Sequence, residues 1–290
     1  MFQIHLWTGL GIGLYIVMLC LTGSALVYRD VLDELVETPA PAFQPGREPL
    51  SSAQLTEAAQ RAYPGYTVTR VGGNRINRRR PIVEVWVERG DEKIERLFNP
   101  YTGEDLGPAL HWVTRANVWL ARMHDELLFE DRQRGRFWNG IGSVLIVLLC
   151  VTGAIIWWPG VRSWRRGIGV KWRAGWPRLN FDLHSAMGFW FFLLILLWGV
   201  TGIYLAIPEP FAALVDRYSD PDEILGTRTG DIIMRWGVRL HFGRWEEQPV
   251  LMAVWAVIGL VPAVMFVTGA IMWWHRVLRK RQVRPAEAEA

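Results

Sequence analysis

Val151-Thr152-Gly153-Ala154-Ile155-Ile156-Trp157-Trp158 recurs as Val267-Thr268-Gly269-Ala270-Ile271-Met272-Trp273-Trp274, with seven of eight positions identical. Both octapeptides close an apolar run long enough to cross a bilayer, which takes about 20 mostly apolar residues. Two further runs carry the same Thr-Gly mark, Leu21-Thr22-Gly23 and Val200-Thr201-Gly202. The four runs are 4–28, 137–158, 184–207 and 250–274, with Arg29, Arg136 and Asp182 just outside three of them. Such an internal repeat organises the chain. Spans one and two form one half, and spans three and four the other. An even number of spans separates the halves, so they share a topology, and a pseudo-twofold axis along the membrane normal is expected to relate them. The fold expected is a mainly α membrane protein: a four-helix transmembrane bundle of two pseudo-symmetric halves, with a small α+β insert.

About half the 290 residues are hydrophobic (51%), and 17 are tryptophan, a balance rare in soluble domains. Orientation follows from Lys and Arg in the connections. After span two come Arg162, Arg165, Arg166, Lys171, Arg173 and Arg178, with no acid before Asp182. After span four come Arg276, Arg279, Lys280, Arg281 and Arg284. Both stretches are expected on the cytoplasmic side, and both termini with them. The connection between spans three and four, with Glu209, Asp216, Asp220, Asp222, Glu223, Asp231, Glu246 and Glu247, is expected outside. The net charge of +4 is accounted for by these basic loops, so it does not argue for nucleic acid. The first run lacks a basic stretch before it and exceeds an ordinary signal-peptide core, so it is expected to remain as a span. Cys20 and Cys150 sit mid-span as small packing residues, and the chain has no CxxCH for a covalent haem.

The expected layout is span one at 1–30, an outer domain at 38–110, an approach helix and span two at 111–158, and a basic loop at 159–181. Span three follows at 182–207, an outer connection at 208–249, span four at 250–275 and a tail at 276–290. Within the insert, residues 38–49 read as a Pro-rich linker. Ser51-Ser52-Ala53-Gln54 starts a helix that Pro64-Gly65 stops. Strands follow at Tyr66–Val71, Ile82–Glu88 and Lys93–Phe98, the last two joined through Arg89-Gly90-Asp91 as a hairpin.

Four of the six histidines share the repeat. His5 and His184 each lie 17 residues before a Thr-Gly, and His124 and His241 lie 28 and 27 before theirs. His5 and His184 start spans that run outward, so they share a depth near the cytoplasmic face. His124 and His241 precede spans that run inward, so they share a depth near the outer face. Each of the latter lies about a dozen residues before its span and needs an amphipathic helix to bring it to the membrane. Histidines paired in this way are what a bis-histidine haem b requires. The iron stays six-coordinate, and burial and hydrogen bonds tune its potential. Two haems are expected, one on His5 and His184, the other on His124 and His241. Seventeen residues of helix span roughly 25 Å, most of the hydrocarbon thickness. Arg173, Arg178, Arg122 and Arg244 are candidates to pair with propionates. His275 and His111 read as interfacial and surface residues. The Thr-Gly steps read as close-packing sites and the Trp-Trp pairs as interfacial anchors. There is no zinc-type cluster and no nicotinamide or flavin fingerprint. Electrons would therefore come from a cytoplasmic partner or from quinol.

The segment Phe98-Asn99-Pro100-Tyr101-Thr102-Gly103-Glu104, closing a helix and strands, resembles the end of a PepSY domain. Asp182-Leu183-His184, His124-Asp125-Glu126-Leu127-Leu128, Leu240-His241-Phe242-Gly243 and Thr-Gly closing on Trp-Trp resemble the PepSY-associated transmembrane family, also called iron-regulated membrane proteins. The resemblance covers nearly the whole chain. It implies an inner-membrane ferrisiderophore reductase with two haems between its helices, acting on a periplasmic ferric chelate or partner protein. Reduction to Fe(II) would weaken hard-oxygen chelation and release iron. A second reading is a non-catalytic membrane anchor that displays a PepSY binding or regulatory module. A third, a permease, meets the objection that no Asp, Glu, Lys or Arg lies at the centre of a span.

Overall fold

The computed structural model describes residues 1–72, 81–158, 163–220, 222, 225–245 and 248–278. The chain divides into two compact units, 30–118 and the combination of 1–29 with 119–290. Arg162 and the charged tail from Arg279 onward, counted above toward orientation, lie outside the described residues, as do Glu223, Glu246 and Glu247.

The smaller unit begins with most of α3 (Arg29–Leu35), followed by α4 (Ser52–Ala62) and the strands β1 (Thr67–Val71), β2 (Val83–Arg89), β3 (Glu92–Phe98) and β4 (Asp105–Pro108). Helix α4 starts at a capping box in which the Ser51 hydroxyl accepts from Gln54 N–H and the Gln54 side chain accepts from Ser51 N–H. The sheet is antiparallel in the order β1-β2-β3-β4, so a fourth strand extends the three expected. Alternation in β2 sends Val83, Val85 and Val87 to one face, where they pack with Leu55, Ala59 and Phe98. Burying a side chain the size of Phe98 contributes about 1.5–3 kcal/mol. Asp105 is gripped by Arg96 at 2.8 Å and accepts from the Tyr63 hydroxyl, tying β4 to β3 and α4.

The larger unit carries the remaining α-helices. These are α1 (Phe2–Gly11), α2 (Gly13–Leu26), the end of α5 (Trp112–Glu126), α6 (Arg132–Trp157), α7 (Trp176–Trp190), α8 (Phe192–Ala206), α9 (Glu209–Tyr218), α10 (Thr229–Phe242), α11 (Pro249–Gly259) and α12 (Val261–Trp273). Two stretches, Arg132–Trp157 and Pro249–Val277, are long and apolar enough to cross a membrane, and the count reaches four if each bent pair is one span. Spans one and three are therefore not single rods. α1 meets α2 at 59°, and α7 meets α8 at 62°. The breaks fall at Ile12 and Phe191, with φ/ψ of −104°/9° and −104°/4°. These residues are 179 positions apart, as are His5 and His184, and Thr22 and Thr201. Sharp kinks need a local cause such as glycine. Gly11 and Gly13 flank Ile12, and a side chain at Gly13 would overlap the Phe266 ring at 1.8 Å.

Burial in this unit is inverted relative to a soluble bundle. Leu14, Leu193 and Val250 are each more than three-quarters exposed (79%, 76% and 76%), whereas Thr22, Ser143, Thr152, Thr201 and Thr268 are buried. Small and hydroxylated residues at helix contacts, with large apolar ones facing outward, are what packing in lipid selects. The second tryptophans, Trp158 and Trp274, are the more exposed of each pair, at 61% and 57%. The first ones are half-buried. Trp157 stacks on Phe189 with ring centres 4.9 Å apart, and Trp273 lines the internal cavity.

Candidate functional site

The four histidines come together in two pairs. The His5 and His184 ring centres are 6.5 Å apart with planes at 87°, and those of His124 and His241 are 6.4 Å apart at 77°. A direct N–H···N bond of about 3 Å would draw the centres to roughly 5 Å. An imidazole nitrogen lies about 2 Å from a first-row metal and about 1 Å from its own ring centre, so two imidazoles on opposite sides of one metal stand roughly 6 Å apart. The observed gaps fit one metal atom between each pair.

The tautomer is set by threonine. His5 Nδ1 lies 3.1 Å from Thr152 Oγ1, His184 Nδ1 2.9 Å from Thr268, His124 Nδ1 2.9 Å from Thr22, and His241 Nδ1 2.6 Å from Thr201. Each hydroxyl has one proton and donates it to its own helix, to the carbonyls of Leu148, Val264, Met18 and Leu197 respectively. The hydroxyl can then only accept from the ring, so Nδ1 carries the hydrogen and Nε2 keeps its lone pair. This is the arrangement of a metal-ligating histidine fixed by an outer partner.

The threonines read from sequence as close-packing residues, with their distance from a histidine only marking the repeat. The structure pairs them with histidines on other helices. The threonines of α6 and α12 hold His5 and His184, and those of α2 and α8 hold His124 and His241. The neighbouring glycine makes the approach possible at three sites. A side chain at Gly23, Gly153 or Gly269 would meet an imidazole Cε1 at 2.9, 3.1 or 3.3 Å. At Gly202 it would meet the Ser143 hydroxyl instead, at 2.6 Å. The repeated spacing between four histidines and four of the Thr-Gly steps was the available signal.

A cavity of about 1910 Å³ passes all four rings. Pockets for drug-sized ligands run from roughly 300 to 1,000 Å³, so this one has room for two large planar groups. Arg178 and Arg244 line it, with Arg29, Arg136 and Arg276. Of the other two arginines considered for propionates, Arg122 bonds Glu126 at 3.2 Å and Arg173 lies exposed elsewhere. His275 lines the cavity in the loose π-type turn Trp274–Leu278, and His111 Nδ1 accepts from Val113 N–H at the start of α5. Cys20 and Cys150 are free thiols on the cavity wall. Among the described residues no group of three or more His, Cys, Asp or Glu could hold a metal ion. The histidine pairs are thus the donor sets on offer, and a group that supplies its own equatorial ligands needs no more than two.

His124 and His241 reach the cavity on α5 and α10, the amphipathic helices that their distance from the spans required. α10 ends conventionally, with Gly243 at φ +60°. α5 does not. Leu127 and Leu128 both take positive φ, 50° and 58°. Non-glycine residues there cost roughly 1–2 kcal/mol each, which surrounding contacts must offset. Glu126, buried, binds Arg122 and Arg132 at 3.2 Å each, and Asp125 binds Arg136 at 2.7 Å.

A family model described as a PepSY-associated TM region matches residues 2–227 and 219–276, nearly the whole chain. No curated protein matches it.

Proposed function

We propose an electron-transfer role for this chain, which belongs to the family of PepSY-associated transmembrane regions: a haem b oxidoreductase of the ferrisiderophore-reductase type. The observation that carries the proposal is the pair of facing imidazole sets, each ring tied at Nδ1 to a threonine so that Nε2 is free for iron. His5 and His184 would hold one haem and His124 and His241 the other. Bound haem supplies a one-electron Fe(III)/Fe(II) couple, which needs no acid or base from the protein.

The chain's own residues orient, bury and space the sites. The threonines hold the rings, and the apolar lining keeps water away and lowers the local dielectric. The unbroken helix α6 measures the separation. Asn139 bonds the His124 carbonyl and Thr152 bonds the His5 ring, 13 residues apart, or about 20 Å along a helix axis. The 179-residue offset shared by the histidines, threonines and bends supports four spans in two related halves. On that reading the 5–184 site faces the cytoplasm of a bacterial inner membrane and the 124–241 site faces outward. A cytoplasmic partner or quinol would be the donor and a ferric chelate the substrate, whose hard oxygen donors hold Fe(II) less well. The rival reading, a membrane anchor for a PepSY module, gives the four histidine–threonine bonds no use.

The test is the visible spectrum of the detergent-purified protein, oxidised and dithionite-reduced, with a pyridine haemochrome assay. A Soret band with two haems per chain is expected. Its absence after haem-replete expression would sink the proposal.

A further inference from the structure

The sharp turn after His124 has an outside support. The last carbonyls of a helix have no partner within it, and in α5 two of these belong to His124 and Asp125. The Asn139 side chain on α6 reaches both. Its Nδ2 donates to the His124 carbonyl at 2.9 Å and to the Asp125 carbonyl at 3.1 Å. Both amide protons are thereby committed, so Oδ1 is the acceptor. The Tyr15 hydroxyl, from α2, donates to Oδ1 at 2.7 Å. Gly142, one turn along α6, leaves room for this, since a side chain there would fall 2.3 Å from Tyr15 Cζ. The result is a continuous link, Tyr15 to Asn139 to the His124 main chain, joining α2, α6 and α5. The other ligand helix is held by different chemistry, with Trp255 Nε1 donating to the Leu240 carbonyl at 3.0 Å.

We infer that Asn139, its amide fixed by Tyr15, is a positioning residue that sets the placement of His124 against His241 and so tunes that site alone. The main-chain part rests on geometry only, and the spectroscopic part rests on the two-haem reading above. Both ends of the link matter because the turn it braces is strained at Leu127 and Leu128. A small rotation of the last turn of α5 would move the His124 ring away from Thr22 as well as from its partner ring.

The experiment uses the full chain in detergent, with Asn139→Leu and Tyr15→Phe beside the wild type. Low-spin haem signals are recorded by electron paramagnetic resonance and assigned by their loss in His124→Ala and in His5→Ala. Asn139→Leu is expected to lose or broaden the 124–241 signal while the 5–184 signal stays, which also shows that the variant folds. Tyr15→Phe, which removes a single oxygen, is expected to shift the same signal without loss of haem. An unchanged 124–241 signal in both variants would overturn the inference. So would equal loss of both signals in Asn139→Leu together with an unshifted spectrum in Tyr15→Phe. In haem-free protein, hydrogen exchange at the Leu128 and Phe129 amides, which bond Arg122 and Glu126 carbonyls, should quicken in Asn139→Leu. Unaltered exchange there overturns the positioning role by itself. A wild type without a Soret band overturns only the cofactor reading.

Discussion

α5 and α10 deliver equivalent histidines, yet they end in opposite ways. α10 closes on Gly243, whose φ of +60° costs glycine nothing and whose missing side chain lets the Trp255 ring approach, since a Cβ would lie 1.8 Å from Trp255 Cδ1. α5 closes on Leu127 and Leu128 at similar angles and relies on neighbours to hold them there: two arginines on Glu126, Arg136 on Asp125, and the Asn139 amide. The His5–His184 pair has neither device, because its histidines sit within α1 and α7, placed by the bends that follow and held by Thr152 and Thr268. A histidine carried on a separate amphipathic helix depends on how that helix stops. A histidine inside a long apolar run depends on the shape of that run.

The largest effects should come from the ligands. His124→Ala and His241→Ala are each expected to remove about half of the bound haem, and the same half, while His5→Ala removes the other. Pyridine haemochrome with spectral assignment checks this, and loss of both haems in any single variant would break the pairing. Next comes Gly243→Ala, which puts a side chain at positive φ against Trp255 and should cost 2 kcal/mol or more in unfolding free energy, about the upper end for such a conformation. Thr22→Val and Thr201→Val keep shape but remove the acceptor for Nδ1–H. Each should weaken haem binding at the 124–241 site about 10-fold, the low end for loss of an outer partner, and leave the 5–184 site alone. Haem titration of the apoprotein measures it. Leu128→Gly should go the other way from Gly243→Ala, raising thermal stability by roughly 0.5–1 kcal/mol as strain is relieved. Equal signs for those two substitutions would show that the two helix ends do not differ as described.

The smallest effect concerns the 30–118 unit. Burial alone would raise the Asp105 carboxyl, but bonds from Arg96, Tyr63 and Gly107 N–H outweigh it and hold it below the usual carboxylate range. Its unfolded form binds a proton more readily. Its contribution is therefore complete above the ordinary value of about 3.9 and is lost as pH falls through the lower folded value. Asp105→Asn should flatten this acid limb in a denaturation series and leave both haem spectra untouched.

Much of this was legible because periodicity and punctuation are local. Ser51 and Gln54 announce α4, Arg89-Gly90-Asp91 announces the hairpin, and alternation in Val83, Val85 and Val87 announces the buried face. The histidine pairs were legible through the repeat, since His5 and His184 share one spacing to a Thr-Gly step and His124 and His241 nearly share another. The bends at Ile12 and Phe191 were not, because glycine permits a kink without dictating one, and the apolar runs read straight through. Nor were the threonine partners, because a Thr-Gly step reads as a packing site and names no partner on another helix.

The sequence by itself determined four apolar runs, their repeat and the small α+β unit, because composition, local periodicity and a recurring motif are all written along the chain. Only the tertiary structure decided that His5 answers to Thr152, His184 to Thr268, His124 to Thr22 and His241 to Thr201. It also decided that Asn139 and Trp255 bond the ends of the helices that carry His124 and His241. Those are contacts between helices far apart in sequence. They exist because bends and helix ends bring particular faces together, and directional hydrogen bonds then select one partner from the several that spacing allows.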